Sequence, residues 1–237
     1  MNYDQLAADY AATRRVHPGI VARLVEAVRA LPARCGLEVG CGTGNYAAAL
    51  QGATGVPMLG VEPSAGMLAY AQAAGVIGCR AVAEALPLCD QSVDLVFTVD
   101  VVHHLRDVPG YFAEARRVLR RGGLVCTATD SAEIIATRRP LALYWPQTVE
   151  SELQRYHPIP RLLGWLEAAG FRDVREEEVT FAYPLHDAEP YRRRAYSTLQ
   201  RISDEAWQAG LVRLETDLQA GPVECAARYT LVWGTRA

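Results

Sequence analysis

Five short apolar runs separated by helical stretches are what most constrains this chain. They are Cys35–Gly40 (CGLEVG), Val56–Glu62 (VPMLGVE), Val76–Val82, Val93–Val99 (VDLVFTV) and Leu124–Thr129. Between them, Asn45–Gln51 reads as a helix stopping at Gly52. A second helix is capped by Ser64 and ended by Gly75, and a third spans Val108–Leu119. Each run is too apolar for a strand with one face in water. The pattern therefore predicts an α/β fold with a parallel sheet covered by helices on both faces. In such sheets ligands bind beyond the carboxyl ends of the strands, near the point where strand order reverses. The residues just after each run are the ones to examine.

The flanking segments are more loosely patterned. The first 34 residues read as helical, with a weak stripe of Leu6, Tyr10 and Thr13. A stronger stripe of Ile20, Leu24, Val25, Val28 and Leu31 follows His17-Pro18-Gly19. After residue 130, His157-Pro158-Ile159-Pro160 breaks a mixed stretch, and Arg161–Ala169 is an amphipathic helix ending at Gly170. Val174–Ala182 alternates like an edge strand, Glu189–Ile202 and Asp204–Leu218 look like polar-faced helices, and Arg228–Trp233 is a closing strand.

At 237 residues and 50% hydrophobic, the chain suits one well-cored domain. A net charge of −3, spread along the chain, predicts neither a nucleic-acid surface nor an anionic-membrane surface. All 24 basic residues are arginine. This excludes a Walker A lysine, a pyridoxal Schiff-base lysine and a kinase-type phosphate lysine. The 6 cysteines (35, 41, 79, 89, 126, 225) show no C-x-x-C spacing and read as reduced thiols. The 5 histidines form no zinc pattern, so no metal is expected. The N-terminus lacks an apolar signal region, and no apolar run approaches the ~18 residues of a membrane span. A cytoplasmic protein is the expectation.

The strongest motif is Glu38-Val39-Gly40-Cys41-Gly42-Thr43-Gly44, a strand running into a glycine loop and then a helix. Glycines let the backbone turn sharply and let a ligand lie against the main chain, where a Cβ would obstruct it. The helix start presents free N–H groups. Glu62, at the end of the second run, is placed to accept both hydroxyls of a ribose. A dinucleotide site wants G-x-G-x-x-G, but Asn45 stands where that third glycine or alanine belongs. A ligand bearing an ammonium near the loop is the better fit.

Here the chain resembles the class I S-adenosylmethionine-dependent methyltransferases, of the small-molecule type that includes the quinone-biosynthesis enzymes. The resemblance covers roughly residues 1–130. Tyr3-Asp4 with Ala7 and Tyr10 resembles the N-terminal lid, and EVGCGTG the first motif. Gly60-Val61-Glu62-Pro63-Ser64 with Met67-Leu68 resembles the second motif, and Ala83-Glu84-Ala85-Leu86-Pro87 the third. Asp94-Leu95-Val96 through Val102-His103-His104-Leu105 resembles the fourth, and Arg116–Gly123 (RRVLRRGG) the approach to the fifth strand. The resemblance implies a Rossmann-like, doubly wound, mostly parallel seven-stranded sheet with helical cap additions in a single domain. Its parts would be an N-terminal helical lid (1–34), a cofactor-binding core (35–131), cap helices with a sixth strand (132–220) and a closing strand (227–235).

The resemblance also implies roles. Gly40, Cys41, Gly42 and Gly44 would line the methionine and ribose of S-adenosyl-L-methionine, with S-adenosyl-L-homocysteine as product. Glu38 would order the loop or meet the ammonium through water, and Glu62 would bind the ribose. Pro63 and Met67 would flank the adenine, whose edge Ala83 and Glu84 would read, and Val99 would lie beside the cofactor. Relatives often carry an acid where Val82 stands, leaving Glu84 to supply any contact to the adenine amine. Tyr10 and Arg14 would close over the cofactor carboxylate or else sit on a helix surface.

Methyl transfer from a sulfonium is an in-line displacement, and a base is needed only if the bound acceptor is protonated. His103 is the preferred base, with Asp100 to orient it and His104 beside it. Packing or loop fixing is an equal alternative for the histidine pair. Acceptor recognition is expected from residues 1–30 and 132–220, which hold Tyr144, Trp145, Tyr156, His157, Tyr183, Tyr191, Tyr196 and Arg192-Arg193-Arg194. These would form either an aromatic, Arg-lined pocket or the cap's own core and solvated surface. The expected partner is a small-molecule acceptor, with no nucleic acid, on a monomer or homodimer. A nicotinamide-dependent oxidoreductase and a non-catalytic cofactor-binding partner protein are the rival readings.

Overall fold

The structure is a computed structural model that describes residues 15–237. It falls into two compact units. One comprises the chain up to Thr129 with Ile159–Glu177 and Thr230–Ala237, and the other Asp130–Pro158 with Glu178–Tyr229.

Local signals start most of the early elements. Helix α1 (Pro18–Ala30) follows His17, whose Nδ1 accepts the Ile20 N–H at 3.2 Å. The helix buries Ile20, Leu24 and Val28, three of the residues in its apolar stripe. Strand β1 (Gly36–Val39) runs through the glycine loop into α2 (Asn45–Thr54). That helix continues past Gly52, where nothing lies near the missing side chain, and ends on Gly55 in the left-handed conformation. Strand β2 (Met58–Val61) leads to α3 (Ala65–Ala73), whose cap Ser64 accepts the Met67 N–H through its hydroxyl oxygen. Strand β3 is only Ile77–Cys79, shorter than expected, because Val82 folds back into a bridge with Ala85. Strand β4 (Val93–Val99) is followed by a turn of 3-10 helix at Val102–His104 and by α4 (Val108–Val118), capped by Asp107.

Strand β5 spans Leu119–Thr129, five residues more than the apolar run. The extra length passes through Gly122 and Gly123, where the register against β4 slips between Val93 and Leu95. A Cβ on Gly123 would come 2.9 Å from the carbonyl oxygens of both Arg120 and Asp94, so only glycine admits this close pairing.

Seven strands form one sheet in the order β3-β2-β1-β4-β5-β7-β6. Strand β6 is Phe171–Leu185 and takes the edge position the alternating pattern predicts; β7 is Val223–Arg236. The pairs β1–β2, β2–β3, β1–β4 and β4–β5 are parallel, whereas β5–β7 is antiparallel. From β1 the chain winds outward through β2 and β3, then returns to place β4 on the other side of β1. The order therefore reverses between β1 and β4. On one side of the sheet Val39, Val96 and Val125 pack with Tyr111, Phe112 and Ala115 of α4, all essentially excluded from water.

In the second unit α5 (Ala132–Thr137), α6 (Leu141–Tyr144) and α7 (Gln147–Arg155) precede Pro158, and α8 (Ile159–Ala168) returns to the first unit. The helix expected over Glu189–Ile202 does not form. Only α9 (Glu189–Arg192) and a 3-10 turn at Leu199–Arg201 are helical, and Arg194 adopts a positive φ between them. Tyr191 stacks on Trp145 at 5.4 Å and on Tyr196 at 5.0 Å. Residues five apart do not face each other on a continuous helix, so aromatic packing overrides local propensity here. Helix α10 (Asp204–Ala220) completes the unit.

Candidate cofactor and methyl-transfer site

Parallel pairing sets the carboxyl ends of β1, β2 and β4 along one edge of the sheet. Val39 lies opposite Val61, and Glu38 opposite Phe97. Gly40, Glu62 and Asp100 each follow one of those strands, around the reversal in strand order.

Gly40, Gly42 and Gly44 have φ of 71°, 52° and 79°, a region that L side chains rarely adopt. A Cβ on Gly40 would strike Val101 Cγ2 at 2.5 Å, and one on Gly44 would strike Ala71 Cβ at 2.9 Å, so the protein's own packing also requires glycine at both. Cys41 is buried, its Sγ 2.7 Å from where a Gly60 Cβ would stand, and its N–H donates to the Val61 carbonyl. Burial and the nearby Glu38 and Glu62 charges push its thiol pKa up, so it stays protonated.

Two buried carboxylates hold this loop. Glu38 Oε2 accepts the Ala47 N–H at 2.8 Å, tying β1 to the first turn of α2. Glu62 accepts the Gly42 N–H on Oε2 and the Ser64 N–H on Oε1, each at 3.0 Å. It therefore joins the loop to the start of α3. Burial, with the Glu62 charge adding to it and the Ala47 N–H opposing it, pushes the Glu38 carboxyl up to about 8.

That shift predicts a pH-dependent stability. A carboxyl whose pKa rises on folding contributes stability that is full below its unfolded value and is lost as pH climbs through its folded value. Ligand-free protein should therefore lose thermal stability between about pH 5 and pH 8. Glu38→Gln, neutral at every pH and still able to accept the Ala47 N–H, should flatten that fall. Parallel Tm-against-pH curves for the two proteins would refute the assignment.

Pro63 is exposed, Met67 and Ala83 are buried, and Val99 is half-buried as the last residue of β4. Glu84 Oε1 accepts the N–H groups of Arg106 and Asp107 at 3.1 and 3.3 Å, just before α4. Tyr10 and Arg14 lie outside the described residues.

After β4, Asp100 adopts φ 58°, and its N–H donates to the Ala128 carbonyl at 3.0 Å. Backbone held in this region in a non-glycine residue stores strain that functional sites commonly retain. His103 is half-buried and His104 exposed, with ring centroids 4.1 Å apart and planes at 46°.

The sequence reading missed Val101, whose side chain sets the limit at Gly40, and the Glu114–Arg117 pair. Glu114 Oε2 accepts the Leu86 N–H at 2.8 Å, and Arg117 donates to the carbonyls of Leu86 and Leu88. Together they clamp the segment that continues from Ala83 and Glu84. Their three-residue spacing on one helix was a readable signal of an ion pair, but not of what the pair would grip. The Arg192-Arg193-Arg194 run is matched by acids. Arg192 reaches Glu215 at 2.6 Å, Arg193 reaches Glu189 at 2.5 Å, and Arg194 reaches Asp204 at 2.7 Å. Tyr144, Trp145 and Tyr191 are buried in their unit's own core. Arg192 lines an open cavity with Asp187, Glu215 and Gln219, where its charge is already matched.

Residues 37–127 match the methyltransferase domain family. A methyltransferase of Encephalitozoon cuniculi is 36% identical over 201 residues, covering 76% of this chain and 91% of that protein. The chain belongs to the class I S-adenosylmethionine-dependent methyltransferases. A solved structure from Anabaena variabilis, described as a methyltransferase of an antibiotic biosynthesis pathway, superposes on this methyltransferase with a TM-score of 0.71. The two are 25% identical, over 91% of this chain and 96% of that one. The tRNA U34 carboxymethyltransferase of Sodalis glossinidius is 26% identical over 199 residues, 77% of this chain and 57% of that protein. The methyltransferase spans about half the length of the tRNA U34 carboxymethyltransferases it matches.

The cofactor is S-adenosylmethionine, and the residues present suit it. The pair of buried carboxylates offers acceptors for hydroxyl and ammonium groups, and a cation brought near Glu38 would relieve its raised pKa.

Proposed function

We propose that this methyltransferase moves the methyl group of S-adenosylmethionine to a small-molecule acceptor by in-line displacement. The observation that carries the reading is the shared edge at the strand-order reversal. There a glycine loop pinned by Glu38 and Glu62 adjoins the strained Asp100 turn and His103. When bound, S-adenosylmethionine supplies an electrophilic methyl on a sulfonium. Glu62 holds the ribose hydroxyls, and Gly40, Gly42 and Gly44 shape the loop beside the methionine portion. Pro63, Met67, Val99 and the Ala83–Glu84 backbone surround the adenosine.

Asp100 and His103 stand on the acceptor side. His103 takes the acceptor's proton when the acceptor is an alcohol, phenol or acidic carbon, and Asp100 orients the imidazole. The net charge of −3 supports a small acceptor over a polyanion. The matches to tRNA U34 carboxymethyltransferases favour tRNA as the second reading.

A homocysteine-release assay over small-molecule acceptor classes and over tRNA decides between the two. For the active acceptor, Asp100→Ala and His103→Ala should each lower kcat by about 10²–10⁴ if a proton must be removed. Affinity for adenosylhomocysteine should stay within about twofold, since neither group is asked to bind the cofactor. Activity on tRNA alone, or unchanged kcat in both variants on a protonated acceptor, would overturn the corresponding assignment.

A further inference from the structure

Three hydroxyl groups sealed from solvent lie behind the methyl-transfer edge. Thr98 of β4 and Thr127 of β5 are register partners in a parallel pair, so their side chains stand side by side on one face of the sheet. It is the face of Val96 and Val125, each two residues earlier, against which Tyr111 of α4 packs. Thr98, Thr127 and Tyr111 are each 0% exposed. Valine and phenylalanine would fill the same space without the cost of burying a hydroxyl.

The three oxygens are in reach of one another. None has a hydrogen-bond partner in full geometry. Burial pushes the Tyr111 phenol pKa up, and the Thr127 and Thr98 hydroxyls, close enough to act on it, pull it back. Each hydroxyl therefore depends on the other two, which small rotations bring into alignment.

Their place in the chain gives this junction a role. Everything from Val99 to Gly110, including Asp100, His103 and His104, lies between Thr98 and Tyr111. At the start of that segment the Asp100 N–H donates to the Ala128 carbonyl of β5. At its end Tyr111, whose N–H donates to the Asp107 carbonyl, meets the Thr127 hydroxyl of the same strand. Strand β5 holds the turn at both ends, by a backbone bond at one and a side-chain contact at the other.

We propose that Tyr111, with Thr98 and Thr127, is a positioning residue for methyl transfer. Its phenol anchors the first turn of α4 to β4 and β5 and so fixes where Asp100 and His103 stand. The inference rests on those two residues serving the acceptor side. The three hydroxyls, being fully buried, act only through them.

Tyr111→Phe keeps the ring and its packing and removes only the hydroxyl. For the active acceptor it should lower kcat about 10- to 100-fold, the scale of a misplacement of about 1 Å at the reacting centre. KM and adenosylhomocysteine affinity should stay within about twofold. Thr98→Val should do the same, and Thr98→Ser, which keeps the hydroxyl, should retain the wild-type kcat. The double variant T98V/Y111F should fall no further than either single variant, because each breaks the same junction. A second readout needs no turnover. In ligand-free protein the imidazole proton resonances of His103 should move in Tyr111→Phe and Thr98→Val, while those of His186 stay. Moved His103 resonances in a protein that methylates no small molecule uphold the junction and count against the small-acceptor reading instead. Unchanged kcat in Tyr111→Phe, or unmoved His103 resonances, overturns the proposal whatever the change in Tm, since the hydroxyls then serve stability alone.

Discussion

Replacing Gly40 with alanine is expected to destabilise the folded protein by about 2–5 kcal/mol, lowering Tm and weakening adenosylmethionine binding with it. Two independent penalties add. The backbone at φ 71° costs an L residue about 1–2 kcal/mol. A Cβ placed 2.5 Å from Val101 Cγ2 and 2.8 Å from Cγ1 adds an overpacking cost of about 1–3 kcal/mol. Val101 is attached to the turn that carries Asp100, so relief of the clash moves either the glycine loop or that turn. Either displacement disturbs the site. The double variant G40A/V101A separates the two penalties, because it removes the clash and keeps the backbone strain. It should recover part of the lost stability and not all of it. Wild-type Tm in the single variant would refute the packing argument, and no recovery in the double variant would refute the role of Val101.

Glu62→Ala should weaken adenosylmethionine and adenosylhomocysteine by about 1–3 kcal/mol, the range for losing a charged acceptor of hydrogen bonds. It also strips the Gly42 and Ser64 N–H groups of their 3.0 Å partners, so a fall in Tm is expected with it. The ribose assignment is isolated by the ligand. Glu62→Gln keeps the shape and one acceptor oxygen. Its amide nitrogen faces one of the two N–H donors, so both ligands should weaken, but adenosylhomocysteine should lose more affinity than a 2′,3′-dideoxy analogue does. An equal loss against both ligands would show that Glu62 acts through loop geometry and not through the hydroxyls. The two variants thus distinguish a carboxylate that touches the cofactor from one that only holds the loop.

What the amino-acid sequence determined by itself was local. The five apolar runs, the caps at Ser64 and Asp107, and the strand–glycine loop–helix succession follow from neighbouring residues and their backbone preferences. They were enough to place Glu38 within a strand of a parallel sheet, and Gly40–Gly44, Glu62 and Asp100 just after strands. Tertiary structure decided the rest, because those outcomes depend on groups far apart in the chain. Val101 sets the limit at Gly40 through the neighbouring strand, and Glu84 is turned by the start of α4. The helix expected across Glu189–Ile202 gives way to stacked rings. Arg236 reaches the Leu119 carbonyl only because β7 runs antiparallel to β5. Sheet register is set by which faces are buried, and that is a property of the whole assembled core, not of any one segment.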